Sequence, residues 1–230
     1  MLSTGYNPDN LFEIGVDEAG RGPMFGRLYI GAVVLPKLDS FHHEWMKDSK
    51  KFHSKKKISE ISDYIKENAV SWSVQYIEHD VIDEINIRQS VHKGMHNAIR
   101  DIFSTNQQGI APTNTFLLID GNDFRPYSTF NQDTDELNVV AHQTIEGGDN
   151  KYTAIAAASI LAKVARDEYI SNLCSEYPEL ATRYGIDTNQ GYGTKMHMNG
   201  ILEYGITQWH RKSYGKCKTA PMNELHAKGT

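Results

Sequence analysis

The sequence predicts an α/β layered domain, a sheet of about five strands with helices on its faces and a small helical region appended at the C-terminal end. Three observations predict it. Short apolar runs bounded by Gly or Asp alternate with stretches of helical spacing through the first two thirds of the chain. Thr153–Leu173 is rich in Ala and Ile, without Gly or Pro, and is the strongest helix in the chain. Beyond Pro178 the pattern changes to shorter helices and basic loops. The 230 residues suffice for one large domain or a domain with an appendage.

In order, Phe12–Asp17 and Leu28–Leu35 read as two strands joined by the Gly-rich stretch Ala19–Gly26. Ser54 is placed to cap a helix running to Glu67, with Ile58, Ile61 and Ile65 on one face. Val70, Trp72, Val74 and Tyr76 alternate with polar residues, the period of a half-buried strand, so Trp72 and Tyr76 are expected in the core rather than as stacking platforms for bases. Helical spacing returns over Asn86–Phe103. Thr115–Ile119 is a compact strand ending at Asp120, and Leu137–Ile145 reads as one further strand.

Composition bounds the function. Hydrophobic residues make up 39% and charged residues 23%, ordinary for a globular protein. No apolar run approaches the ~18 residues needed to span a bilayer, and the start lacks a signal peptide's basic stretch and apolar core. A cytoplasmic, membrane-free protein is expected. Cys174 and Cys217 form no CxxC and read as reduced thiols. The net charge is −5, yet Lys47–Lys57 holds six lysines against Asp48, and Gln190–Lys218 is also net basic. Two basic zones on an acidic chain suit a protein that grips phosphates, and equally suit a solvated surface.

Four acids sit where acids are expensive. Asp17 and Glu18 follow an apolar strand, Asp120 ends another, and Asp149 stands between Gly148 and the long helix. Such carboxylates repel one another unless a cation lies between them. Mg²⁺ takes a few carboxylates together with water and substrate phosphate. Two such ions activate a water and stabilise the leaving oxygen of a phosphodiester. Adjacent Asp17 and Glu18 would point to opposite faces of a regular strand, so their joint use requires the strand to end or twist at Ala19-Gly20. Each acid alone is equally a cap or turn residue.

The motifs resolve that ambiguity. Ile14-Gly15-Val16-Asp17-Glu18-Ala19-Gly20-Arg21-Gly22-Pro23, Asp48-Ser49-Lys50-Lys51, Ile119-Asp120-Gly121-Asn122 and Gly148-Asp149-Asn150-Lys151 follow in order. Ala156–Asp167, Gly191-Tyr192-Gly193-Thr194 and His210-Arg211-Lys212-Ser213-Tyr214 complete the set. Together, from residue 14 to about 215, they resemble the ribonuclease HII (type 2 ribonuclease H) family. The resemblance implies an RNase H-like mixed sheet and an endoribonuclease acting on RNA–DNA hybrids and 5′ of single ribonucleotides in duplex DNA. It implies two Mg²⁺ or Mn²⁺ ions on Asp17, Glu18, Asp120 and Asp149, and products with 5′-phosphate and 3′-hydroxyl ends. Gly20, Arg21 and Gly22 would read the ribose 2′-hydroxyl at an RNA-to-DNA junction, with Tyr192 packing on its sugar, and Lys50 and Lys51 would meet the backbone. Only a backbone without Cβ comes that close to a sugar.

The expected organisation is a catalytic domain over 1–175, a helical substrate-binding region over 176–218 and a disordered tail over 219–230, in a monomer. Asp167, inside the long helix beside Arg166, reads as structural. The chain departs from the family at Gly147, where a basic residue is usual and Lys151 could substitute, and at Phe25 and Arg27; Arg27 is expected on the rim of the site. His92 and His96 share a zinc-compatible spacing without a third ligand nearby, His210 is a candidate phosphate contact, and Trp209 is open between stacking and packing. The rivals are an RNase HIII-like enzyme requiring longer hybrids, disfavoured by Gly20–Gly22 and the absence of an added N-terminal domain, a more distant RNase H-fold nuclease acting on DNA junctions, and a silent nucleic-acid-binding subunit, disfavoured by the four acids.

Overall fold

The structure is a computed structural model that describes residues 1–37, 40–105, 107–132 and 135–226. The elements run β1 (Phe12–Ala19), β2 (Leu28–Val34), α1 (Lys55–Asn68), β3 (Ser71–Ile77), α2 (His79–Ile85), α3 (Ile87–Thr105) and β4 (Thr115–Asp120). They continue with β5 (Ser128–Asn131), β6 (Glu136–Val139), β7 (His142–Ile145), α4 (Thr153–Glu176), α5 (Glu179–Tyr184), α6 (Ile186–Asn189) and α7 (Lys195–Tyr204). Five strands form one mixed sheet in the order β3-β2-β1-β4-β7, and β5 pairs with β6 in a separate antiparallel ribbon.

The chain divides into two compact units. The first comprises residues 1–19, 30–75 and 92–164. In it β4 lies parallel to both β1 and β7, with Val16 opposite Ile119 and Asp120 opposite Ile145. The register therefore brings the carboxyl ends of three neighbouring strands to one edge, where open α/β sheets place their chemistry. The first turns of α4 lie against this sheet so closely that Gly31 has no room for a side chain: a Cβ there would come within 2.2 Å of the Ala158 carbonyl oxygen. Ala156, Ala157, Ile160 and Leu161 of α4 pack with Val33, Phe41, Met46, Ile58, Ile61 and Ile65. Ser54 caps α1 as its sequence predicts, its Oγ accepting from the Lys57 amide at 3.3 Å.

The second unit comprises residues 20–29, 76–91 and 165–230. Its core gathers Phe25, Ile170, Leu180, Tyr184, Ile186 and Ile201. Trp209 belongs to it, 4.5 Å from the Tyr177 ring, so it packs rather than offering a free stacking face. Residues past Lys218 lack an apolar period, yet Met222 bridges to Ile206 and Leu225 is buried; residues 227–230 of the expected tail lie outside the described residues.

Two elements depart from expectation. In β3 the buried residues are Ser71, Ser73 and Ile77, while Trp72 and Tyr76 are exposed. Val74 on the apolar side packs against the core, and the polar side is also covered because it is satisfied there: Ser73 donates to Asp101 of α3 at 2.7 Å. Trp72 instead donates its indole N–H to the Lys66 carbonyl at 3.1 Å. The single strand expected over Leu137–Ile145 is two. Its first part pairs with β5 in the ribbon, its second joins the main sheet as β7, and the chain breaks at Val140-Ala141 between them.

Candidate active site

Three of the four acids are brought to the edge of the first unit's sheet by strand register. Asp17 lies one residue beyond the Val16–Ile119 rung, Asp120 ends β4, and Asp149 follows β7 in the short turn Gly148–Asn150. Glu18 is the next residue of β1. Asp17 is only 5% exposed and Asp149 6%, so both carboxylates are largely out of water, at a cost unless they are paired.

Each carboxylate is held by a specific donor. Asp17 accepts from the Glu18 amide at 2.7 Å and from Ser159 of α4, whose hydroxyl also meets Ser49 at 2.9 Å. Asp120 accepts from the Gly148 amide at 2.6 Å. Asp149 accepts from the Asn150 side chain at 2.9 Å, and the same amide group reaches Asp48 at 3.3 Å. Lys51 bonds the Asn150 side-chain oxygen, which ties the basic pair to this turn. Lys50 lies close enough that its charge favours ionisation of both Asp48 and Asp149.

The electrostatics are those of a cluster short of positive charge. Burial holds the Asp17 carboxyl well above its usual range, and the charges of Glu18 and Asp120 push the same way, against the opposing bonds from Ser159 and the Glu18 amide. Burial also raises Asp149, helped by Asp48 and Asp120. At Asp48 burial opposes ionisation, yet the Lys50 amide and the Asn150 side chain bring its carboxyl below the usual range. The donor set fits a hard divalent cation: oxygen-only ligands, two of them buried, each disfavoured by its neighbours' charge. Among the described residues no three such side chains are already closed around a point where an ion would sit. The acids are near enough to repel yet stand open, which suits an ion that keeps waters and takes substrate phosphate.

The second unit holds the other candidates. Gly20 has φ +96°, and a Cβ there would meet Arg166 Nε at 2.3 Å, so only glycine fits. A Cβ on Gly22 would lie 3.3 Å from the Tyr192 ring; the ring therefore lies beside the Gly20–Gly22 loop, and Tyr192 is 52% exposed. Arg211, one of the cations of the net-basic Gln190–Lys218 region, is fully buried. Its guanidinium donates to the carbonyls of Gly20 (2.7 Å), Arg21 (3.2 Å), Pro23 (2.8 Å) and Gly26 (3.0 Å). Arg166 donates to the Gln190 carbonyl at 2.9 Å, and burial lowers its pKa to about 10, with Arg211 adding to the shift. Two buried guanidiniums thus hold the backbone of this loop and of the segment leading to Tyr192.

Several other expectations change. His210 is fully buried and both its ring nitrogens are bonded within the core, to His197 and Thr207, so it offers a phosphate no contact. His92 is buried and faces Asp123 at 3.5 Å, while His96 bonds the Arg125 carbonyl at 2.7 Å. The described residues supply them no third ligand. Arg27 is engaged, its guanidinium stacked between the rings of Tyr76 and Tyr169 and paired with Glu78 at 2.6 Å. Gly147 adopts φ +62° with open space around it, a conformational reason for glycine where the family carries a base. Lys151 remains exposed. Sequence reasoning missed Ser159, Asn150 and Asp48. Ser159 left a signal, the one hydroxyl in an otherwise apolar helical run; Asn150 and Asp48 stood inside quoted motifs without an assigned part.

Residues 14–217 match the family model described as Ribonuclease HII. A curated Ribonuclease HII of Bacteroides thetaiotaomicron is 38% identical over 223 residues, covering 97% of this chain and 98% of its own. The crystal structure of the ribonuclease H2 from Pyrococcus horikoshii aligns with TM-score 0.68 at 22% identity, over 90% of this chain and 96% of that one. Bst-RNase HIII in complex with Mn²⁺ aligns with TM-score 0.58 at 17% identity, over 87% of this chain and 67% of that one.

Proposed function

The chain belongs to the ribonuclease HII family, and on that premise we propose that it cuts RNA–DNA hybrids and also nicks duplex DNA 5′ of a single embedded ribonucleotide. The family makes it a type 2 ribonuclease H, a phosphodiester hydrolase that depends on divalent metal. The observation that carries the site assignment is the Asp17–Glu18–Asp120–Asp149 cluster at the carboxyl edge of parallel strands, with Asp17 and Asp149 buried and each raised by the charge of neighbouring acids.

In this reading Asp17, Glu18, Asp120 and Asp149 hold two Mg²⁺ or Mn²⁺ ions. Bound there, the ions supply charge neutralisation, a more acidic water and stabilisation of a departing 3′-oxygen. The chain's own groups fix the geometry. Ser159 and the Glu18 amide orient Asp17, the Gly148 amide orients Asp120, and Asn150 orients Asp149. Lys50 and Lys51 meet backbone phosphates as point charges. Gly20, Arg21 and Gly22 read the ribose 2′-hydroxyl, and the half-exposed Tyr192 packs on its sugar. The products carry 5′-phosphate and 3′-hydroxyl ends.

Cleavage of a DNA duplex carrying one ribonucleotide, run beside a uniform RNA–DNA hybrid, tests the proposal. Both substrates are expected to be cut with Mg²⁺ and neither in chelator, with the lone ribonucleotide left on the 5′-phosphate product. Cleavage of the hybrid alone would overturn the single-ribonucleotide reading in favour of an RNase HIII-like requirement for longer hybrids.

A further inference from the structure

Tyr192 stands on a backbone whose carbonyl is held by two donors that follow it in the chain. It accepts from the Thr194 amide at 2.8 Å and from the ring of His197 at 3.0 Å through Nδ1. His197 continues inward, its Nε2 lying 3.0 Å from Nε2 of His210. The Nδ1 of His210 meets the Thr207 amide at 2.9 Å and the Thr207 hydroxyl at 2.8 Å. His197, Thr207 and His210 are all fully buried. The Tyr184 ring lies 5.3 Å from His210, and Phe25 stands edge-on to it at 5.1 Å.

The two ends of this chain fix every proton in it. A backbone amide only donates, so His210 Nδ1 is bare and its single proton is on Nε2. That proton is donated to His197, whose Nε2 is therefore bare and whose proton is on Nδ1. A carbonyl only accepts, so that last proton points at Tyr192. The order Thr207 N–H, His210, His197, Tyr192 C=O runs in one direction with each member in one tautomer. Burial lowers the pKa of both imidazoles, His210 to about 3, so the pair is neutral under ordinary conditions. A surplus proton would have to sit on His210 Nδ1, facing the Thr207 amide, or on His197 Nε2, facing the N–H of His210, and each of those partners is a donor.

We propose that His197 and His210 are positioning residues for substrate reading: a neutral imidazole pair that sets the Tyr192 backbone, and through it the ring beside Gly22, for contact with the ribose. This rests on the reading of Tyr192 given above. A packing role alone would need neither the amide at one end nor the carbonyl at the other. Aromatic carbon would fill the same space without leaving two buried nitrogens to satisfy.

A double-mutant cycle on the full chain, with the single-ribonucleotide duplex as substrate, tests this. His197→Phe is expected to lower kcat/KM by about tenfold, the scale of one hydrogen bond. His197→Asn, whose side-chain amide can replace the Nδ1 donor, should recover to within about threefold of the parent. In a Tyr192→Ala background His197→Phe should change kcat/KM by less than about twofold, because its route to the substrate is gone. ¹⁵N NMR of the parent should show opposite tautomers, Nε2–H on His210 and Nδ1–H on His197. A full tenfold loss in the Tyr192→Ala background, a harmless His197→Phe, or like tautomers on the two rings would overturn the positioning role. Tyr192→Ala without effect would instead remove the reading of Tyr192, and the positioning role with it.

Discussion

Arg211 carries a positive charge into a fully buried position and meets no carboxylate there among its bonds; four backbone carbonyls take its place. Burial pushes its pKa down against the opposing influence of Tyr214 and Asp83, and the forked guanidinium satisfies its donors on the carbonyls of Gly20, Arg21, Pro23 and Gly26. Lysine has one nitrogen and no plane, so it cannot span these acceptors. Arg211→Lys is therefore expected to cost about 3 kcal/mol in urea unfolding. Single-ribonucleotide cleavage should fall further than hybrid cleavage, because the loop that Arg211 fixes is the proposed 2′-hydroxyl reader. Unchanged stability would show that the carbonyls find other donors. At this scale the sequence was legible for acids and glycines, since a carboxylate closing an apolar strand and a Gly-Arg-Gly turn carry their chemistry in their neighbours. It misled for Arg211 and His210. Both stand in a run of basic and polar residues that looks solvated, and burial that depends on distant carbonyls and rings leaves no local trace.

At the scale of elements, α4 was the clearest in the sequence, and its closeness to the sheet explains why. Alanines at 156–158 let the helix approach β2 until Gly31 touches backbone. Gly31→Ala would place a methyl 2.2 Å from the Ala158 carbonyl oxygen, an atom that cannot move without displacing the helix. The expected loss is at least about 2 kcal/mol, read as a lower urea midpoint with an unchanged slope. A neutral substitution would mean that α4 shifts freely, and with it Ser159 and Asp17. The strand β3 shows where a period-two pattern fails. Alternation announces a strand but does not say which side is inside, and here Asp101 satisfies Ser73 while Trp72 sits under the Lys66 ammonium and donates to the Lys66 carbonyl. Leu137–Ile145 was read as continuous because nothing at Val140-Ala141 punctuates it; the switch from ribbon to sheet is a tertiary choice.

At the scale of the whole molecule, the chain falls into two compact units, and the candidate residues divide between them. The four acids, with Lys50 and Lys51, belong to the first; Gly20, Arg21, Gly22 and Tyr192 belong to the second. Glu18 and Gly20 stand two residues apart in the chain, so a single turn of sequence carries both the proposed cleavage and the proposed reading. No helix of the described residues is long and apolar enough to cross a membrane. The central claim is that the clustered carboxylates are a metal-dependent hydrolytic centre. Asp120→Asn keeps the side chain's size and its acceptor for the Gly148 amide while removing one charge. Turnover of an RNA–DNA hybrid in saturating Mg²⁺, with hybrid affinity measured alongside, tests that claim most directly. The account predicts a fall in turnover of about a thousandfold, on the scale of several kcal/mol of lost transition-state stabilisation, with affinity nearly unchanged. Turnover within about tenfold of the parent would contradict it.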